Sequence, residues 1–313
     1  MWSLRVVMTW LWLTGAVAAV ACLALPSRAS GASEPDAPVD VVVTIPVLRD
    51  LVERVGGEHV RVVSLLSGLE SEHTYSPRPS DLVAVRKARV LFEIGVGLEV
   101  WASSLVKAAS NPQLKVVTTS RGIALIREPA GKEPATPIGL EEPPGGNPHV
   151  WLDPANAKVM VRHITETLIG VDPAHASDYR ANQASYLREL DVVQSDLVQR
   201  VKTLKDRRVI VHHPAWPYFA RRFGFVVAGE IVSQPGAEPS AQRLQSLVAR
   251  MRRDKIRVIV SEPQLNQKLP DMLARETGAR VVVLTPLPGG LPGTETYLDM
   301  LRFNVHQLAR ALE

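Results

Sequence analysis

Three histidines sit in unlike, Pro-punctuated segments: Ser71-Glu72-His73-Thr74-Tyr75-Ser76-Pro77, Asn147-Pro148-His149-Val150-Trp151-Leu152-Asp153-Pro154, and Val211-His212-His213-Pro214-Ala215-Trp216. Imidazole nitrogen is a ligand for divalent transition metals, and three such groups suggest a metal site. Separations of 76 and 64 residues are too long for a zinc finger or a helix-borne His pair. The site must therefore be assembled by a fold that brings distant loops together. Cys22 is the only cysteine, which rules out an intramolecular disulfide and a thiolate-rich site. Imidazole and carboxylate remain as donors.

The elements that could position these residues follow a βαβ rhythm. Short β-branched runs at 39–45, 60–66, 90–95 and 115–118 alternate with amphipathic stretches at 47–55, 79–87 and 99–109. A second series begins at 208–211 and continues through strands at 226–231, 257–261 and 280–284, with helices at 215–223, 240–252, 269–277 and 294–311. Between the series, Tyr186, Leu190, Val193, Leu197, Val201 and Leu204 recur at helical steps within 177–205. A single helix of about 28 residues, roughly 42 Å long, fits that spacing. The fold class expected is α/β: two lobes, each with a mostly parallel sheet, joined by one long spine helix. The lobes are placed at 39–170 and 207–313. Residues 127–146 are rich in Pro and Gly, lack apolar periodicity and contain no histidine, so they read as a loop without metal ligands.

Strand ends of doubly wound sheets face ligand crevices, and His73 and His213 each follow a predicted strand. The prolines around each histidine restrict φ and hold the imidazoles in place. Residues 1–29 carry Arg5 ahead of an apolar stretch from Val6 to Leu25, the pattern of a signal peptide, so an exported, periplasmic or extracytoplasmic protein is expected. Ala19-Val20-Ala21-Cys22 loosely matches a lipobox, making a lipid anchor at Cys22 the alternative to simple cleavage. A net charge of +4 with no basic run interleaved with aromatics excludes a nucleic-acid partner.

Segment by segment, the chain resembles the solute-binding proteins of zinc and manganese ABC uptake transporters, the cluster A-I family. The resemblance rests on His73-x-Tyr75-x-Pro77-x-Pro79-Ser80-Asp81, on 147–154, on His213-Pro214-Ala215-Trp216-Pro217-Tyr218-Phe219-Ala220, and on Ser261-Glu262-Pro263-Gln264. It covers nearly all of the chain beyond the signal. It implies a monomer that binds metal outside the cytoplasm and hands it to a membrane permease subunit, with no chemistry performed on the metal. It implies ligands at His73, His149, His213 and position 285. There the pattern breaks, because Thr285 stands where the family usually carries Asp, in Leu284-Thr285-Pro286-Leu287-Pro288-Gly289. A neutral hydroxyl brings no charge to a cation, so Glu72 or a water is expected as fourth ligand. Histidine at the third position points to Zn2+ rather than Mn2+, which prefers more oxygen.

Other residues receive quieter roles. Adjacent strand residues face opposite sides, so His212 is expected to turn away from the site. His59, His163, His175 and His306 read as surface or packing residues. Tyr75, Trp151, Trp216 and Tyr218 are expected to wall the site, and Asp153 and Glu262 either to orient ligands or to serve as caps and lobe-interface acceptors. The rival readings are a secreted zinc-dependent hydrolase, with Glu262 as its base, and a metal-binding adhesin or chaperone relative.

Overall fold

A computed structural model describes residues 37–127, 146–233 and 236–313. The export segment with Cys22, and most of the loop at 127–146, lie outside the described residues. The first lobe runs β1 (Val39–Val43), α1 (Pro46–Gly56), β2 (Val60–Ser64), α2 (Pro79–Lys87), β3 (Val90–Glu93), α3 (Ala102–Ala109) and β4 (Lys115–Thr118). Helices α4 (Pro154–Val171) and α5 (Ala176–Val201) follow. The second lobe runs β5 (Arg208–Val211), α6 (Pro217–Phe223), β6 (Val226–Glu230), α7 (Ala241–Asp254), β7 (Val258–Ser261), α8 (Lys268–Thr277), β8 (Arg280–Val283) and α9 (Tyr297–Leu312).

Both sheets are fully parallel and share one order, β2-β1-β3-β4 and β6-β5-β7-β8. In each sheet the crossover from the first strand (β1 to β2, β5 to β6) and that from the third (β3 to β4, β7 to β8) leave in opposite directions, which opens a crevice at the carboxyl ends of the central strands. Valine dominates these strands because a β-branched side chain packs well on a pleated surface covered by helices. The central strands are buried, Val41–Val43 and Val258–Ser261 alike, while the edge strands β2 and β8 are partly open. Pro46, Pro79, Pro154 and Pro217 each occupy the first turn of a helix, where the missing N–H costs no hydrogen bond.

Helix α5 buries Tyr186, Leu190, Val193, Leu197 and Val201 along the stripe read from the sequence, and packs on α1, α4 and α9. It ends at Val201, four residues before the predicted end, and its 26 residues span about 39 Å. A single cluster of buried side chains includes Val43 and Phe92 of the first sheet, Val211 and Val260 of the second, and Tyr297 of α9. The two lobes therefore share a core. A smaller cluster with Ile210, Ile259, Leu247, Met251 and Leu273 fills the space beneath α7 and α8.

Two differences from the expected elements have physical reasons. Helix α4 was not among them, although Asp153 caps its N-terminus and Ala157, Met160, Val161, Ile164 and Leu168 are buried at helical spacing. Helix α3 starts at Ala102 rather than at Glu99, because Glu99 turns inward. Its carboxylate accepts hydrogen bonds from Thr44 Oγ1 (2.7 Å), Ile94 N (2.8 Å) and Gly95 N (3.0 Å), and burial pushes its carboxyl up to about 7.

Candidate metal centre

Each site residue leaves a crevice-facing loop. The loop after β2 carries Glu72 and His73. Asp81, in the first turn of α2, accepts from Arg78 N and Tyr75 Oη at 2.7 Å each, which fixes the return of that loop into the helix. Trp101 packs edge-on against Tyr75, with centroids 5.0 Å apart, and donates Nε1–H to the Glu72 carbonyl at 2.9 Å. His149 precedes the short turn Val150–Leu152 that leads into α4, and His213 lies two residues past the end of β5.

The fold brings all four together. Ligand-type atoms of Glu72, His73, His149 and His213 lie within 4.8 Å of one another. His149 Nε2 is central: it lies 3.1 Å from His73 Nε2, 3.3 Å from His213 Nε2 and 3.5 Å from Glu72 Oε1. Those separations match the edge of a tetrahedron around zinc, about 3.3 Å for bonds of about 2.0–2.1 Å. Glu72, His149 and His213 are 3%, 2% and 2% exposed and His73 is half-buried, so three of the four donors are shut away from solvent.

Partners on the far side of the rings set their orientation. His149 Nδ1 faces Asn147 Oδ1 at 3.1 Å, and the same oxygen accepts from His149 N at 3.0 Å. His213 Nδ1 faces Glu262 Oε1 at 2.8 Å, and that oxygen also accepts from Trp216 Nε1 at 3.0 Å. Both acceptors lack hydrogen, so Nδ1 carries the proton in each ring and a neutral ring turns its Nε2 lone pair to the centre. Glu72 Oε1 is buried there without any hydrogen-bond partner. An orphaned carboxylate oxygen beside converging imidazoles is costly unless a cation joins them.

Titration follows the same geometry. Burial, with His149 adding to it, pulls His73 down to about 3. Burial, with His213 adding, holds His149 well below its ordinary value. Burial opposes the His213 cation too, but the adjacent Glu262 carboxylate outweighs it and His213 is raised.

Thr285 is fully buried, yet its hydroxyl is turned elsewhere, donating to Leu287 O at 2.7 Å and accepting from Leu287 N at 3.2 Å. His212 faces away and contacts Ser261 Oγ at 3.2 Å. Asp153 orients no imidazole: it caps α4 by accepting from Ala155 N at 2.9 Å and pairs with Arg222 of the second lobe at 3.0 Å. Trp151 and Tyr218 hold the His149 segment to the second lobe, through Trp151 Nε1 to Pro286 O (2.7 Å) and Tyr218 Oη to Asn147 O (2.8 Å). Among the remaining histidines, His59 stacks on His175 at 3.8 Å, and His163 Nδ1 meets Thr119 O at 2.8 Å. Asn147 and Trp101 escaped the sequence reading. An Asn two residues before His149, able to close a local turn onto it, was the signal for the first; Trp101 had none, since its contact spans 29 residues.

The family model described as ZnuA, zinc-uptake complex component A periplasmic, matches residues 41–311. The chain belongs to this family. The high-affinity zinc uptake system protein ZnuA of Brucella abortus (strain 2308) is 29% identical over 294 residues, covering 84% of this chain and 88% of that protein. The manganese-binding lipoprotein MntA of Halalkalibacterium halodurans is 28% identical over 288 residues, covering 90% and 91%. A crystal structure of ZnuA superposes with a TM-score of 0.77 at 31% identity, covering 88% of this chain and all of that one. The ZnuA family is one of metal-binding transport components rather than of enzymes, which disfavours the hydrolase reading. No helix among the described residues is long and apolar enough to cross a membrane.

Proposed function

We propose that this protein captures Zn2+ outside the cytoplasm and delivers it to the permease subunit of an ABC-type uptake transporter, with His73, His149, His213 and Glu72 as ligands. The observation that carries the reading is the meeting of three imidazole nitrogens and one unpartnered carboxylate oxygen at tetrahedral spacing. Three nitrogens and one oxygen suit zinc, whereas Mn2+ favours a set richer in oxygen. Delivery to a permease, export through residues 1–29 and action as a monomer are part of the proposal, as is the choice between cleavage and a lipid anchor at Cys22.

Titration of the purified, metal-stripped protein tests it. One Zn2+ per chain should bind, with Mn2+ weaker, and saturating metal should raise the melting temperature by mass action. The stripped protein should keep its circular dichroism, because its shared core does not depend on the ion. Absence of tight zinc binding would overturn the proposal.

Acidification should weaken binding, since ligands must shed protons before they coordinate. His73 and His149 sit below their ordinary values and compete with metal only in acid. His213 sits above its own and takes up a proton first as pH falls. Removing the Glu262 charge lowers that pKa, so Glu262→Gln should move the loss of affinity to lower pH. Chelator-competition titrations between pH 5 and 8 provide the check; an unshifted profile in the variant would refute the assignment to His213.

A further inference from the structure

His149 and His213 reside on segments bonded to each other: Asn147 Nδ2 donates to Pro214 O at 2.6 Å, and Tyr218 Oη donates to Asn147 O. Glu72 and His73 lie on a different body, the loop after β2. Glu70 stiffens the start of that loop by accepting from Ser67 N at 2.9 Å and Ser67 Oγ at 2.6 Å, and by pairing with Arg78 at 3.0 Å. Glu72, His149 and His213 are almost wholly buried and His73 is half-buried, so the way out for an ion runs past His73 and widens only if some element moves. Separating the lobes would expose their common core. Displacing the loop that carries Glu72 and His73 exposes far less.

What holds this loop against the second lobe is a contact that neither the ligand set nor the core requires. Gln264, just beyond β7, donates Nε2–H to Gly68 O at 2.6 Å across 196 residues of sequence. Its Oε1 is buried without a partner. Gly68 has φ 105°, and a Cβ built on it would overlap the Pro288 carbonyl oxygen and come within 3.1 Å of Gly290 N. A Cβ at Gly289 would lie 3.1 Å from Ser67 O. Two glycine turns from opposite lobes thus meet backbone to backbone, and the Thr285 hydroxyl shapes the second turn through its two bonds to Leu287.

We propose that Gln264 and the Gly68–Gly289 backbone contact form a latch that sets how fast Zn2+ enters and leaves, with Gln264 as a positioning residue acting through the loop of Glu72 and His73. The inference rests on the zinc reading of the site. The latch touches no ligand atom, so weakening it lowers the barrier for entry and exit alike and changes affinity less than either rate. Gln264→Met keeps the side chain's length and removes the donor, and the loss of the bond to Gly68 O is offset by the removal of the orphaned Oε1, so the variant should still fold. Gly68→Ala forces the two turns apart.

The test compares Zn2+ transfer to excess fluorescent chelator in stopped flow, together with the visible spectrum of the Co2+-substituted protein. Gln264→Met should release Zn2+ about three- to tenfold faster, the loss expected of one hydrogen bond, and Gly68→Ala faster still. Both should retain the parent's Co2+ bands, because the ligands are unchanged. Release rates equal to the parent's would overturn the latch, with zinc binding itself intact. Altered Co2+ bands would overturn it as well, by showing that Gln264 shapes coordination rather than exchange. A parent protein that binds no zinc would remove the reading of the site and the latch together.

Discussion

Replacing His149 with Ala is expected to lower Zn2+ affinity by at least about a hundredfold. The estimate divides the roughly 10–16 kcal/mol of a four-ligand zinc site among its ligands, leaving about 3 kcal/mol for each. His149 Nε2 is the atom from which the other donors are measured, at 3.1, 3.3 and 3.5 Å. Its segment should keep its place without the ring, because Asn147, Trp151 and Tyr218 hold the surrounding backbone to the second lobe. His73→Ala and His213→Ala should show losses of similar size. His212→Ala should stay near the parent, since that ring contacts Ser261 and not the cluster. Isothermal titration calorimetry of the four variants decides the matter, and greater damage from His212→Ala than from His213→Ala would contradict the assignment.

Glu72→Gln is expected to act in opposite directions on metal and on fold. Losing the only carboxylate of the cluster should weaken Zn2+ binding by about one to two orders of magnitude, because a neutral amide offers a divalent cation no charge. The metal-free protein, by contrast, should gain about 1–3 kcal/mol, since a buried carboxylate with an unpaired oxygen becomes a neutral amide beside the His149 Nε2 lone pair. A capping or packing role would lower stability and leave affinity alone. Urea unfolding of the stripped variant and zinc titration of the same preparation separate the two. Thr285→Ala is the companion: it cuts the bonds to Leu287 at some cost in stability and should leave affinity nearly unchanged. Zinc binding lost in Thr285→Ala but kept in Glu72→Gln would reverse the assignment of the fourth ligand.

Much of the architecture was legible locally. Alternating valine runs and helical stripes mark β1 through β4 and β5 through β8, because burial against a sheet or another helix imposes a period that the chain itself displays. The stripe from Tyr186 to Val201 shows the same for α5. Helix α4, absent from the expected elements, carries the same kind of signal in its cap, its Pro154 and its apolar spacing. The start of α3 was not, because Glu99 looks helical in sequence and turns inward only where Thr44, Ile94 and Gly95 offer it three donors.

The sequence by itself determined which side chains were available to hold a metal: three imidazoles in Pro-bounded segments, a carboxylate beside the first, a hydroxyl where the resemblance led one to expect an acid, and no thiol to compete once Cys22 is set aside. Ligand type follows from side-chain chemistry, which needs no neighbours. Only the tertiary structure decided how they are used. It placed Glu72 Oε1 against His149, gave the His213 ring to Glu262 and that of His149 to Asn147, turned Thr285 to Leu287, and closed Gly68 on Gly289 and Gly290. The contacts of Glu72 with His149 and of Gly68 with Gly289 join residues more than 70 positions apart, and their distances are set by the packing of two sheets around one core, a quantity no local spacing encodes.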